Sequence, residues 1–225
     1  MKILNSKKNI SKKDLLTIRI VLDRSGSMQG SEEITVDALN TYLNELKQEN
    51  SNNTSLTLST FDSMSIDIPI SRVLVSKFKS FPADILQPRG GTPLFDAIGL
   101  AIHDLENIKE STDHNKVLVI VTDGLENASK EYTFENISSK IKEKEEAGWL
   151  IIYLGAEHDA FKQSNSLNFA QERSMQYSKE DSIDTFRAVT RTTIDYRKGQ
   201  KSKNIHFTED ERTLSDKKRF REESE

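Results

Sequence analysis

Leu15 to Met28 reads LLTIRIVLDRSGSM, and the reading of this stretch decides the fold. An apolar run ends on Asp23, and Ser25 and Ser27 follow at alternate positions. Gly26 and Gly30 loosen the backbone before a helical pattern begins at Ser31. A continuous run of this length, rich in Ile and Val, is what a strand buried on both faces looks like. Asp23 then stands where the buried strand meets solvent, at the carboxyl edge where open α/β sheets bind ligands. One carboxylate and two hydroxyls from one tight turn are oxygen ligands of the kind a hard cation takes.

Two later stretches supply more of the same chemistry. Gly90-Gly91-Thr92-Pro93-Leu94 sets a threonine between a glycine pair and a proline, just ahead of a helical pattern. Lys116 to Val121 (KVLVIV) is another buried-strand run and ends in Thr122-Asp123-Gly124. Three hydroxyls and two carboxylates thus come from three strand-to-helix junctions. Brought side by side at the sheet edge, they form an oxygen cage with room for an exogenous ligand.

Asp-x-Ser-x-Ser, Gly-Gly-Thr-Pro-Leu and Thr-Asp-Gly, in this order, resemble the von Willebrand factor A (vWA) domain family and its metal-ion-dependent adhesion site (MIDAS). The resemblance runs from about Leu15 to Arg197, and GLENAS after Asp123 and the closing TTIDYR are similar to compact bacterial and phage members. It implies a metal site at Asp23, Ser25, Ser27, Thr92 and Asp123. The hydroxyls of Ser25, Ser27 and Thr92 would contact the ion, with Asp23 and Asp123 bound directly or through water. It also implies a protein partner whose Asp or Glu completes the coordination. Mg²⁺ is the favoured ion, since it takes six oxygens and keeps waters readily, with Mn²⁺ or Ca²⁺ as alternatives.

Along the chain, strands alternate with helices. Ser31 is expected to cap a helix to about Glu49, with Glu32 and Glu33 at its positive end. Thr54 to Phe61 alternates strictly, and Met64 to Ile70 alternates again after the Asp62-Ser63 turn. The pair reads as a hairpin whose second arm is an antiparallel edge strand carrying Pro69. A connector from 76 to 89 has a short helical pattern around Phe81 to Leu86. Helices follow from Pro93 to about Ile108 and from Phe134 to Ala147, where Gly148 stops the second. Trp149 to Leu154 is a third buried strand, Asp159 to Gln163 a short helix, Arg173 to Tyr177 a last edge strand, and Lys179 to Tyr196 a closing amphipathic helix. The expected class is α/β: a doubly wound, Rossmann-like, mostly parallel sheet with one antiparallel edge strand and helices on both faces. The expected organisation is a flexible N-terminal arm (1–13), one vWA-like domain (14–198), and a charged, disordered tail or marginal helix (199–225).

Composition narrows the function classes. A length of 225 residues suits one α/β domain plus tails. The formal charge of −4 argues against a general nucleic-acid binder. The absence of cysteine removes disulfide frameworks and thiolate metal sites. The lysine-rich start lacks the apolar core of a secretory signal, and no stretch reaches the roughly 20 apolar residues of a membrane helix, so a cytoplasmic protein without membrane contact is expected.

Each singled-out residue has a plainer role to weigh. Thr92 suits a helix cap, Asp123 an Asx turn with Gly124, and Asp62 the turn of its hairpin. Glu126 and Asn127 fit a surface loop better than the rim of the cage, and Arg24 fits an ordinary exposed arginine. His103, His114, His158 and His206 lack the spacing of a zinc pair. SGSMQG is no nucleophile elbow, and no phosphate-binding glycine loop occurs. The function expected is therefore a divalent-metal-dependent protein-binding module and not an enzyme. The enzymatic alternative, a metal-dependent phosphohydrolase on the same cage, would need a general acid or basic clamp, for which only Arg24 and Arg89 offer themselves. A phage or bacterial assembly or regulatory factor is the third alternative.

Overall fold

The computed structural model describes residues 15–49, 52–108, 115–155, 166–176, 178 and 181–212. Its main elements, in chain order, are β1 (Leu16–Asp23), α1 (Glu32–Gln48), β2 (Thr54–Phe61), β3 (Ile66–Leu74), α2 (Leu94–Glu106), β4 (Asn115–Thr122), α3 (Phe134–Glu146), β5 (Leu150–Gly155), β6 (Ser174–Gln176) and α4 (Ser182–Arg197). The strands form one sheet in the order β3-β2-β1-β4-β5-β6. Only β3 runs antiparallel to its neighbour. The α/β class, the parallel sheet and the antiparallel edge strand are as the sequence implies.

β1 is buried at every position because helices cover both faces of the sheet. Ile18, Ile20 and Leu22 pack on one side with α1 and α4, where the rings of Tyr42 and Phe186 lie 6.1 Å apart. Val21 faces the other side with Ile98 and Ile102 of α2 and Ile137 and Ile141 of α3. Arg19 is the exception inside this run. Burial lowers its pKa, and Asp104 of α2, 3.0 Å away, opposes that shift by pairing with the guanidinium.

Because the chain leaves β1 for β2 on one side and later returns to β4 on the other, the winding reverses between β1 and β4. At such a reversal the loops after the two strands part and leave a crevice at the carboxyl edge. Asp23 ends β1 there, and Thr122 and Asp123 end β4 beside it.

Several local expectations are corrected. Phe81 to Leu86 is not helical but runs through turns. The side chain of Asn40 on α1 takes the place of helix partners, accepting from Phe81 N at 2.8 Å and donating to Phe81 O at 3.4 Å. Pro82 lacks an N–H to continue a helix in any case. Ser31 stands at the N-cap position, yet its hydroxyl donates to Met28 O instead of capping α1. β2 is covered on both faces although its sequence alternates: Leu56 and Leu58 lie in the core shared with α1, and Phe61 in the core shared with α2. β3 itself carries Pro69, register shifts against β2 and a positive φ at Arg72, features that make an edge poor at recruiting another strand.

The packed chain also extends past the expected boundary at 199. Ile205 and Phe207 are buried in the core beside α4, and Phe207 N donates to Glu172 O at 2.8 Å next to β6. Polar bonds join these two apolar anchors: Arg173 donates to Ser202 O at 3.1 Å, and Arg191 donates to His206 O at 2.9 Å and to the Glu211 carboxylate. The arm at 1–13, the short helix at Asp159–Gln163, His114, His158 and the chain beyond 212 lie outside the described residues. Among the described residues, no helix is long and apolar enough to cross a membrane.

Candidate metal centre

Asp23 is fully buried, and backbone geometry explains why it points into the crevice. One carboxylate oxygen accepts Ser25 N at 2.7 Å, closing the tight turn; the other accepts Thr122 Oγ1 at 2.5 Å from β4. Ser27 Oγ donates to Asp123 Oδ1 at 2.5 Å and lies 3.0 Å from Ser25 Oγ. Gly124 locates the remaining hydroxyl. A Cβ built there would lie 3.0 Å from Thr92 Oγ1, 3.3 Å from Ser27 Oγ and 3.8 Å from Ser25 Oγ. All five residues singled out from the sequence therefore converge on one place. They are not surface residues, however: Asp23, Ser25, Thr92 and Asp123 are buried, and only Ser27 is exposed.

Thr92 does not cap α2. Glu126 and Ser129 serve the first turn instead, accepting from Phe95 N at 2.9 Å and Asp96 N at 3.1 Å. Asn127 in turn holds Thr92 from both sides of its peptide unit: its Oδ1 accepts Thr92 N at 2.8 Å, and its N–H donates to Thr92 O at 3.1 Å. The stretch 126–132 is further pinned by Asp96, which accepts the N–H groups of Lys130, Glu131 and Tyr132. Glu126 and Asn127, read from sequence as surface loop, are thus positioning residues of the cage.

The loop carrying Thr92 is fastened to the Asp23 turn by backbone. Gly26 N donates to Gly90 O at 3.0 Å, and Arg89 N to Arg24 O at 2.9 Å. Gly90 has φ +66, and any Cβ there would strike Ser63 Oγ, so the glycine is required twice over. The β2–β3 turn closes against the same loop, with Ser63 N donating to Gly91 O and Gly91 N to Ser63 Oγ, both at 2.9 Å. Asp62 does make that turn, accepting Met64 N and Ser65 N, but it does more. Its second oxygen accepts Arg24 Nε at 2.5 Å and Arg89 Nε at 2.9 Å, one arginine from the Asp23 loop and one from the Thr92 loop. Arg24 also bonds Asp67 and Ser65 and is largely covered, not the free arginine the sequence suggested.

Two carboxylates beside each other in a covered crevice are costly without a counter-charge. Burial pushes the Asp23 carboxyl up to about 6; hydrogen bonds from Thr122 and Ser25 oppose this, and the neighbouring Asp123 charge adds to it. The donor set is all oxygen, two carboxylates and three hydroxyls, and it surrounds a position that a single added methyl would crowd. Those properties fit a hard dication and not zinc. Among the described residues, no cluster of three or more His, Cys, Asp and Glu offers a rival metal site.

Thr122 was not among the sequence candidates, yet it is the direct partner of Asp23. Thr122→Val keeps the shape and removes the donor. We expect Mg²⁺ affinity to fall by about ten- to a hundredfold, as for other partners of metal ligands, and the metal-free protein to lose about 1–3 kcal/mol of stability near neutral pH, because a buried carboxylate oxygen loses its donor. Titration calorimetry beside a melting curve checks both.

Comparison with known proteins agrees with this fold. The family model of the von Willebrand factor type A domain matches residues 17–191. A search of curated proteins returned no match. Among solved structures, the pilus adhesin SpaC from Lactobacillus rhamnosus GG is similar at 12% identity and a TM-score of 0.66, over 84% of this chain and 31% of that one. The chain therefore spans about a third of that adhesin. The vWF domain of the type V pili tip protein Mfa5 from Porphyromonas gingivalis is similar at 11% identity and a TM-score of 0.63, over 79% of this chain and 94% of that one. The manganese-loaded TRAP protein of Plasmodium vivax is similar at 14% identity and a TM-score of 0.53, over 78% and 72%. These likenesses concern the fold, whereas the sequence model covers most of the chain and its strand-end motifs. The chain belongs to the von Willebrand factor type A domain family.

Proposed function

We propose that this domain is a divalent-metal-dependent protein-binding module. The observation that carries the reading is the convergence of Asp23, Ser25, Ser27, Thr92 and Asp123 from three loops onto the space beside Gly124. A bound Mg²⁺ or Mn²⁺ would supply a hard positive centre whose oxygen set is completed by an Asp or Glu of a partner protein. Ser25, Ser27 and Thr92 are neutral, so within the set only Asp23 and Asp123 offset the charge of a dication. Asp23 and Asp123 hold it in place, and the backbone bonds of Gly26, Gly90 and Asn127 fix the distances between the three loops. The manganese held by the similar TRAP structure supports the choice of a divalent ion.

The phosphohydrolase reading is weaker on one specific point. It needs a cationic clamp or acid facing the cage, and both arginines on the cage loops are directed to Asp62. The module reading is tested by isothermal titration of Mg²⁺ and Mn²⁺ into the wild type and Asp123→Ala. We expect a binding isotherm for the wild type and a loss of at least about tenfold in affinity, or 1.4 kcal/mol, for the variant. Equal heats from both proteins would remove the metal from the reading.

A further inference from the structure

Met64 is 75% exposed, more than any other large apolar side chain among the described residues, and Leu125 is 48% exposed. A single exposed apolar residue on a surface is ordinary. These two are distinguished by what carries them. Met64 occupies the β2–β3 turn, whose neighbouring Ser63 is bonded in both directions to Gly91, the residue before Thr92. Its own N–H donates to Asp62 at 2.6 Å, so the turn is fastened to the arginines of the Asp23 and Thr92 loops. Leu125 directly follows Gly124, the residue facing all three cage hydroxyls. On its other side Glu126 is tied to Phe95, Ala128 and Ser129. Both side chains are therefore presented on the same well-held backbone that forms the cage, so contact costs side-chain freedom but little further backbone freedom.

Charge adds a second constraint. Arg89 is spent on Asp62, and Asp23 and Asp123 balance a dication, so the attraction for an anionic group is local to the ion, which the neutral hydroxyls of Ser25, Ser27 and Thr92 leave able to take a further oxygen ligand. We propose that Met64 and Leu125, together with the cage, form a composite docking site for a protein segment presenting an acidic side chain between apolar neighbours. The inference rests on the metal-bridge reading above and adds the partner chemistry that surrounds the bridging carboxylate. The acidic group provides orientation at the metal; Met64 and Leu125 select what flanks it.

The test uses the whole chain with Mg²⁺ and three fluorescent heptapeptides, read by anisotropy. One carries a central aspartate flanked by leucines, one the same aspartate flanked by serines, and one a central asparagine flanked by leucines. We expect the leucine-flanked aspartyl peptide to bind roughly tenfold or more tightly than the serine-flanked one, from partial burial of two apolar contacts. We expect the asparaginyl peptide and the chelated sample to show no comparable binding. In the double variant Met64→Ser with Leu125→Ser, the ratio between the two aspartyl peptides should fall to about one, with Mg²⁺ titration as the control for an intact cage. Equal binding of the two aspartyl peptides to the wild type, or a preference that survives in the double variant, overturns the composite surface and leaves the metal bridge standing. Aspartyl peptides that fail to bind, or bind no better than the asparaginyl one, overturn the metal bridge and this inference with it.

Discussion

Asp23→Asn is expected to make the metal-free protein more stable at pH 8 while abolishing its stabilisation by Mg²⁺. Burial raises the Asp23 carboxyl to about 6 in the folded chain, against about 3.9 in an unfolded one. The folded state thus holds this proton more tightly than the unfolded state does. The stability linked to it is fully present below about pH 4 and is lost as pH rises through about 6. At pH 8 the charged carboxylate costs about 3 kcal/mol, at 1.36 kcal/mol per unit of pKa. Asparagine removes that charge and keeps the bonds. Its amide oxygen accepts from Ser25 N as the carboxylate does, and its NH₂ donates to Thr122 Oγ1, whose O–H turns to Gly124 O at 3.2 Å. A gain of about 3 kcal/mol raises the melting temperature by roughly 6–12 °C for a domain of this size. Melting curves with chelator from pH 4 to 8 read the effect: the wild type should lose stability across that window from this group, and the variant should not. Added Mg²⁺ should then raise the melting temperature of the wild type alone. A variant less stable than the wild type at pH 8 would show that Asp23 is a structural carboxylate and not a strained ligand.

The same accounting bears on the burial of the proposed ligands. A ligand set exposed to water would have no unfavourable carboxylate to relieve, and ion binding would gain less from it. Here the cost of Asp23 and Asp123 is accepted at the winding reversal between β1 and β4, where the fold leaves a crevice. Neighbouring polar bonds keep the crevice in shape without a cation. Such local conflict between stability and chemistry is what a binding site in an otherwise consistent fold looks like.

Much of this was legible in the sequence because it is written locally. Asp23, Ser25 and Ser27 lie in one turn, Thr92 follows a glycine pair, and Asp123 ends an apolar run; each junction announces itself within six residues. The partners that hold them are not local. Thr122 becomes the partner of Asp23 only through the register that sets Leu22 opposite Val121. Asn127 reaches Thr92 across 35 residues, and the sequence around it looks like any polar loop. The turns at Phe81 to Leu86 depend on Asn40, on a different element, and the anchoring of Ile205 and Phe207 depends on a core that forms far upstream. Periodicity reports which face of an element is apolar; it carries no information on which distant polar group a side chain will meet.

Asp62 is the clearest case of that distance, and its removal carries the second large expected effect. Asp62→Ala should lower stability by about 2–4 kcal/mol, because its buried carboxylate takes bonds from two arginines and two turn N–H groups. Arg24 has a side chain only 11% exposed, so its guanidinium would keep Asp67 and Ser65 but lose its covered partner. Burial alone would raise the Asp62 pKa; the bonds from Arg89, Met64 N and Arg24 outweigh it and hold the carboxyl below its usual value. Its contribution is therefore present above the unfolded value near 3.9 and lost as pH falls through the folded one, the reverse of Asp23. Because the two arginines belong to two of the three cage loops, the variant should also weaken Mg²⁺ binding although Asp62 is not among the five proposed ligands. Arg89→Ala provides the comparison. Its side chain is half exposed, so its loss should cost about 1 kcal/mol or less in stability. A double-mutant cycle over Asp62 and Arg24, read by urea unfolding and Mg²⁺ titration together, separates the two effects. Asp62→Ala with wild-type Mg²⁺ affinity would confine Asp62 to its own hairpin. A joint loss of stability and affinity would make the β2–β3 turn a working part of the cage.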